Sequence, residues 1–529
     1  MRDLDAMRIE RMETSMDKDP RHWAAVDPHR PAVLLDQATL TYEQLERDAN
    51  RIAQLLRGRG IRRGDHVGAI LGNDPLIFAI AWACYRSGAY FTPIPSTSSP
   101  RDAAYIVANS TARVVIADPR LATAAGITAL VDTGPVWFGV GTPAPGFEDL
   151  ASAMAGASDE PVSDERPGAL MMYTSGTTGA PKGVWRPLPE TVDGPAPFAR
   201  DLLAMFDIRA GDRYLSTAPL YHAAALRFGL AFTAAGGTVR VMKRFDADEA
   251  LGLLENEAIT HSQWVPTMFQ RMLTLAEDRR AAFRAPHHRV ALHSAAPCPV
   301  PVKRRMIDWW GPILEEYYSG TEGVGLTALT SREWLDKPGS VGRARKGSVH
   351  ILDEQWREAP AGATGKVYFS GIAPFSYFND AEKTKARMSP QGWQTFGDLG
   401  HLDADGYLFL TDRQDDMIIS GGVNIYPQEL EAALMELTEL QDAAVVGMPD
   451  TDFGEVPIAF VVAGSPAADH AQLHSVIEAW CRDRLGRVKR PKHILFVDAL
   501  PRSPQGKVLR RELRKLAEPA PMAATDGNR

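Results

Sequence analysis

The residues best suited to chemistry lie in one short run, Thr174-Ser175-Gly176-Thr177-Thr178-Gly179-Ala180-Pro181-Lys182-Gly183. It holds four hydroxyl side chains, three glycines and a lysine within ten residues. Glycines let successive backbone N–H groups turn toward one anion, and hydroxyls and an ammonium add further donors. That set suits a polyphosphate. It is not a Walker loop: five residues on from Gly176 stands Pro181, where that loop requires glycine. The ordinary alternative is a Ser/Gly surface loop. Against it, the run follows residues 168–173, which read as a buried strand, and carries a lysine in a phosphate-facing place.

Around this loop the chain alternates strand and helix signals. Thr41 and Gln44 have capping-box spacing, and Leu45, Ala49, Ile52, Ala53 and Leu56 recur at helical spacing. Residues 66–71, 90–94 and 114–117 read as strands, and a helix follows Pro75. The pattern predicts an α/β fold: a large N-terminal domain with mostly parallel sheets flanked by helices. Residues 366–369 and 407–410 read as short strands. The run Asp412-Arg413-Gln414-Asp415-Asp416 is too charged for a core. After it, helices at 427–437 and 474–485 and strands at 442–446 and 458–462 make a small α+β unit. The expected organisation is 1–412, a hinge at 413–416, a C-terminal domain over 417–516, and a disordered tail over 517–529.

The whole chain narrows the classes. Its 529 residues carry a net charge of −8, against a nucleic-acid binder with a broad basic face. Cys84, Cys298 and Cys481 are odd in number and form no CxxC pair, which argues against a disulfide framework or zinc site. The first 20 residues lack the apolar core of a signal peptide, and the apolar stretch 75–83 is too short to span a bilayer. A cytoplasmic protein without an integral membrane segment is expected.

Residues 173–183 resemble the signature of the adenylate-forming superfamily, which holds acyl-CoA synthetases, the adenylation domains of peptide synthetases and luciferase. The resemblance runs from about Ala32 to Arg511, with further motifs in the family's order. It implies that Thr174, Ser175, Gly176, Thr177, Thr178 and Lys182 grip ATP. Tyr318-Ser319-Gly320-Thr321-Glu322 resembles Tyr-Gly-x-Thr-Glu, with Ser319 in place of glycine. By that match Tyr318 stacks on adenine, Thr321 touches the α-phosphate, and Glu322 holds Mg²⁺. Gly392-Trp393-Gln394-Thr395-Phe396-Gly397-Asp398 resembles Gly-Trp-x-x-Thr-Gly-Asp, one residue shorter between Trp393 and Thr395. Asp398 would then accept from the ribose. Arg413 is the implied second ribose contact and Asp415 the hinge. Gly421 and Gly422 would line the tunnel for the CoA thiol. Pro501-Arg502-Ser503-Pro504-Gln505-Gly506-Lys507-Val508-Leu509-Arg510 resembles Pro-x-Thr-x-x-Gly-Lys-x-x-Arg, which makes Lys507 the catalytic lysine on a mobile C-terminal domain. Ser294, Ala295 and Ala296 match the segment whose backbone faces adenine.

The same match places His222, Ala223, Trp264 and Ser319 at the acid pocket, with His222 gating the space between acid and CoA. Amino-acid-activating relatives place an aspartate where Ala223 stands, so an acid without an α-amine is implied. The small run Ala223-Ala224-Ala225 leaves volume for a medium- or long-chain or polycyclic apolar acid. Arg227 lies either outside that pocket or opposite a remote polar group. Arg484, Arg487, Lys489, Arg490 and Lys492 form either a site for CoA phosphates or a solvated face. The implied reaction is acid plus Mg-ATP to acyl-AMP, then acyl transfer to CoA. A carrier protein as acceptor, luciferase-like oxidation of the adenylate and a non-catalytic nucleotide-binding protein are the alternatives. The sequence leaves oligomeric state open, a homodimer included.

Overall fold

The structure is a computed structural model that describes residues 18–124, 126, 134–174, 180–190, 197–413, 416–420, 423–451, 453–465, 467–503 and 506–517. Two sheets dominate the part before residue 413. One has six strands, all parallel, in the order Glu148–Asp149, Val136–Gly139, Ala112–Ala117, His66–Ile70, Tyr90–Pro93, Ala169–Leu170. The other has nine strands. Its six central strands, from Leu314–Tyr318 through Val290–His293, His261–Trp264, Arg213–Ser216 and Thr238–Val241 to Pro31–Leu35, run parallel, and its edges are antiparallel. Parallel strands need crossover connections, and the alternating helices supply them.

Helices Leu76–Arg86 and Ala223–Ala235 are apolar almost all round and are buried accordingly. They approach so closely that a Cβ on Gly229 would lie 2.6 Å from the Phe78 ring. The helix Tyr42–Gly58 begins at Thr41 with the expected capping box formed in both directions.

Two further sheets carry the site. Met172–Thr174, Lys182–Trp185 and Ser376–Tyr377 form a three-stranded antiparallel sheet. Ser348–Leu352, Gly365–Ser370, Asp398–Leu402 and Leu408–Arg413 form a four-stranded one. After residue 417, the strands Val423–Ile425, Ile418–Ser420, Gly454–Ala463, Leu440–Asp450 and His493–Phe496 form a sheet of their own, with separate apolar clusters on its two faces.

Three expectations are corrected. Residues 168–173 are not one strand. Ala169–Leu170 extends the six-stranded sheet, and Met172–Thr174 pairs with Lys182–Trp185. The fully buried Met171 sits between them. The charged run is not wholly outside the core either: Asp412 is 1% exposed. Its carboxylate accepts from the Gln428 N–H at 3.0 Å, in the first turn of the helix Pro427–Leu434. A carboxylate at a helix N-terminus meets unpaired N–H groups and a favourable dipole, which offsets its burial. Ala517, assigned to the tail, closes the helix Arg510–Ala517; residues 518–529 lie outside the described residues.

Candidate active site

The strand Leu314–Tyr318 delivers Tyr318 beside the four-stranded sheet, where its hydroxyl donates to Asp398 Oδ2. Asp398 opens its strand and stands in register opposite Arg413, the last residue of Leu408–Arg413. The two implied ribose contacts are thus cross-strand neighbours. Phe396 backs this corner, edge-on to Tyr318 with centroids 5.4 Å apart. A Cβ on Gly320 would lie 2.5 Å from Phe396, so the turn after Tyr318 needs glycine there. Ser319 does not present its hydroxyl as a free pocket group: it donates to the Gly325 carbonyl at 2.8 Å.

Glu322 lies on the same turn. The Tyr377 hydroxyl donates to its Oε1 at 2.8 Å, and the Lys182 ammonium sits 5.1 Å from the centre of the Tyr377 ring. Burial, then the charges of Arg387 and Lys383, pull the Lys182 pKa below the usual lysine value. An ammonium among cations and partly shielded from water favours an anionic ligand. Lys182 pairs in register with Thr174 across the hairpin mouth. Ser175, Gly176, Thr177 and Thr178 lie outside the described residues, as do Asp415, Gly421 and Gly422.

At the C-terminal end of a central strand of the nine-stranded sheet, Ser294, Ala295 and Ala296 follow Val290–His293. Ala295 has φ of 77°, in the left-handed region that favours glycine. The strained peptide stands in the segment matched to adenine.

Lys507 comes from the C-terminal unit. Its backbone N–H meets Ser503 Oγ at 3.2 Å, and the Ser503 N–H donates to the Lys507 carbonyl at 2.8 Å, so the lysine rides a tight turn. Gly506 has φ of 76°, and a Cβ there would lie 2.6 Å from Thr267 Oγ1. The turn therefore packs on residues that follow the strand His261–Trp264. His222 stands at the N-cap of the helix Ala223–Ala235. Burial and then the Lys507 charge push its pKa down to about 3, which puts imidazole and ammonium in one electrostatic neighbourhood.

Trp264 does not join them. It is 1% exposed and packs among Phe245, Phe269 and Trp310 on the opposite face of its strand, its Nε1–H donating to Ser262 Oγ. The expectation of a pocket residue there is corrected, because alternation along the strand sends it into the core. The basic C-terminal residues also have local partners. Arg484 meets Glu436, Lys489 meets Glu429, Lys492 meets Asp450, and Arg490 donates to the Leu485 and Arg482 carbonyls. Sequence reasoning missed Tyr377 and Arg387. A lone tyrosine in a short strand carries no pattern. Arg387 carries no sequence pattern either; in the structure it packs on Gly397, whose φ is 92° and where a Cβ would fall 1.9 Å from Arg387 Nη1.

His222 belongs to a larger set. Burial, the first cause in each case, depresses His66 and His261 to about 4, His288 to about 3, and His293 well below the usual 6.5. All are neutral when folded near pH 7. As pH falls below 6.5 the unfolded chain takes up protons that the folded chain refuses, so stability falls until the folded values are reached. Denaturant midpoints should therefore drop steadily between about pH 6.5 and 4, and less steeply in His222→Phe. A slope unaltered by that substitution would contradict the assignment.

Comparison with known proteins identifies the family. A family model described as AMP-binding enzyme matches residues 20–377, and one for the AMP-binding enzyme C-terminal domain matches 429–507. A long-chain-fatty-acid–CoA ligase, FadD13 of Mycobacterium tuberculosis, is 32% identical over 505 residues, covering 94% of this chain and 95% of the relative. A feruloyl-CoA synthase of an Amycolatopsis species is 32% identical over 504 residues, covering 94% and 98%. The crystal structure of ATP-bound MatB from Rhodopseudomonas palustris superposes with a TM-score of 0.80 at 28% identity, covering 94% and 99%. With both family models matched, this chain belongs to the adenylate-forming family of AMP-binding enzymes.

Proposed function

We propose that this enzyme is an AMP-forming acid–CoA ligase acting on a bulky, largely apolar carboxylic acid. The observation that carries the reading is the seating of the Lys507 turn against Thr267, close enough for its charge to act on His222. A cation from the C-terminal unit would then stand at the mouth of the proposed acid pocket. Tyr318, Asp398 and Arg413 would hold the nucleoside, and Thr174, Lys182 and the loop between them the leaving pyrophosphate. When the acid's carboxylate attacks the α-phosphorus, negative charge grows on the phosphoryl oxygens, and a positioned ammonium stabilises it. Neutral His222 neither attracts nor repels the acid by charge. It closes the pocket beside the small side chain of Ala223, in keeping with an acid that brings bulk and no ammonium.

Glu322 fits a Mg²⁺ site of the substrate-completed kind. Among the described residues no group of three or more His, Cys, Asp or Glu could hold a metal alone. One carboxylate plus ATP phosphates is an ordinary Mg²⁺ environment, and Tyr377 orients that carboxylate. Bound there, the ion would offset phosphate charge. After adenylation, rotation of the C-terminal unit about Asp415 would withdraw Lys507 and bring Gly421 and Gly422 to the CoA route.

The test is to incubate a panel of acids with ATP and Mg²⁺, with and without CoA, and identify products by mass. Pyrophosphate release with a bulky apolar acid and an acyl-CoA product formed only with CoA are expected. Preference for amino acids or short polar acids would overturn the acid class. A stable acyl-AMP that CoA does not consume would point instead to a carrier protein, and an oxidised product to luciferase-like chemistry.

A further inference from the structure

Two arginines behind the Thr321–Gly323 turn have no role in the scheme above. Arg186 follows the strand Lys182–Trp185, and its Nη2 donates to the carbonyls of Glu322 and Gly323 at 2.8 and 3.0 Å. Arg227 lies one turn into the helix Ala223–Ala235, four residues on from Ala223, and its Nη2 reaches the Thr321 carbonyl at 3.4 Å. Three successive carbonyls thus face two guanidinium groups. A carbonyl dipole does not neutralise a charge, and among the described residues neither arginine forms an ion pair with a carboxylate.

The contrast with this chain's other sequestered arginines is sharp. Arg86 is paired with Glu46, Arg240 with Glu257, Arg289 with Asp212, and Arg510 with Glu431 and Asp416. Here two like charges lie within each other's field, and burial and then that repulsion lower Arg227 from its usual value. The Glu322 carboxylate acts on Arg227 from beyond ion-pair distance, and Tyr377 already holds one of its oxygens. Isolated buried cations are costly unless something compensates them. No remaining N–H of either guanidinium is both buried and unpaired among the described residues, so the unused donors keep accessible surface. Arg227 spends one Nη2–H on the turn and so keeps one face of its fork for a planar, two-oxygen anion, while Arg186, whose Nη2 serves two carbonyls, offers its Nε–H and Nη1–H groups as single donors beside it.

We propose that Arg186 and Arg227 form an anion site in the acid pocket beyond Ala223, and that the preferred acid carries a second carboxylate remote from the one adenylated. This rests on the acid-activating reading above and deepens it: the substrate is bulky and apolar in its body and charged at its far end. A phosphate of ATP is the competing source of anionic oxygens.

The experiment measures pyrophosphate release by the full chain with matched pairs of acids, octanoate against octanedioate and an aryl monoacid against its diacid counterpart. Wild type should prefer the diacid of each pair. In Arg227→Met and Arg186→Met the diacid-to-monoacid ratio of kcat/KM should fall about 10- to 100-fold, the loss expected for one charge-assisted bond, and the shift should lie in KM for the acid. Arg227→Lys, which keeps the charge and guards against misfolding of the methionine variant, should retain much of the preference. An unchanged ratio would leave the arginines as clamps on the turn and overturn the proposal. A raised KM for ATP with an unchanged ratio would assign them to phosphate. Pyrophosphate release from no acid at all would overturn the activating reading itself.

Discussion

Replacing Lys507 with alanine is expected to lower acid-dependent pyrophosphate release by at least about 10²–10³-fold, the usual cost of removing one positioned donor from a charge-developing transition state. Thioester formation from supplied acyl-AMP should be largely spared. The asymmetry follows from where the lysine comes from. Its turn is built by Ser503 and Gly506 within the C-terminal unit and packs on Thr267 and Val265, with the lysine charge acting on His222. On the proposed scheme Lys507 would serve the first step and leave for the second, while Tyr318 and Asp398 stay in the larger domain. The two half-reactions should be assayed separately, by pyrophosphate exchange and by CoA consumption. Equal loss in both would contradict the alternation of domains.

Arg510→Ala should have the largest effect on stability, about 3–5 kcal/mol, the range for removing one partner of a buried ion pair. The Arg510 side chain is 12% exposed and meets Glu431, Asp416 at 3.3 Å and the Val445 carbonyl at 2.7 Å. These carboxylates hold its pKa above the ordinary arginine value although burial opposes them. Without the guanidinium, Glu431 is left with the Val445 N–H and Asp416 with Arg514 at 3.9 Å, a weaker compensation in a partly dry site. Urea unfolding, with hydrogen exchange over the strands Leu440–Asp450 and Gly454–Ala463, would register the loss. A midpoint close to wild type would show that water replaces the arginine cheaply. The motif arginine is thus a structural centre of the C-terminal unit, next to the implied hinge.

Much of this was legible in the residues. The capping box at Thr41, the parallel strands and the order of the nucleotide motifs all rest on local patterns, and local patterns survive folding. What escaped depended on partners distant in sequence. Nothing in residues 168–173 marks Met171 as the point where a strand changes sheets, because both halves are equally apolar. Asp412 looked like linker because its compensation is a helix N-terminus sixteen residues later. Trp264 looked like pocket because a motif fixes a position, whereas the face of the strand fixes where the side chain goes. Arg227 could be read two ways until its partners were known to be carbonyls.

The register of Asp398 opposite Arg413 has a mechanical meaning. The last strand residue before the implied pivot, Arg413, is also one of the two that would read the ribose. A lever turns most reproducibly when its fulcrum is clamped, and here the clamp would be the bound nucleotide. An empty enzyme should let the C-terminal unit wander, while AMP, tying the two strand ends together, would give the swing a fixed axis. Small errors at that axis are magnified along the arm to Lys507, so nucleotide contacts at the ribose would set the aim of a lysine that never touches it.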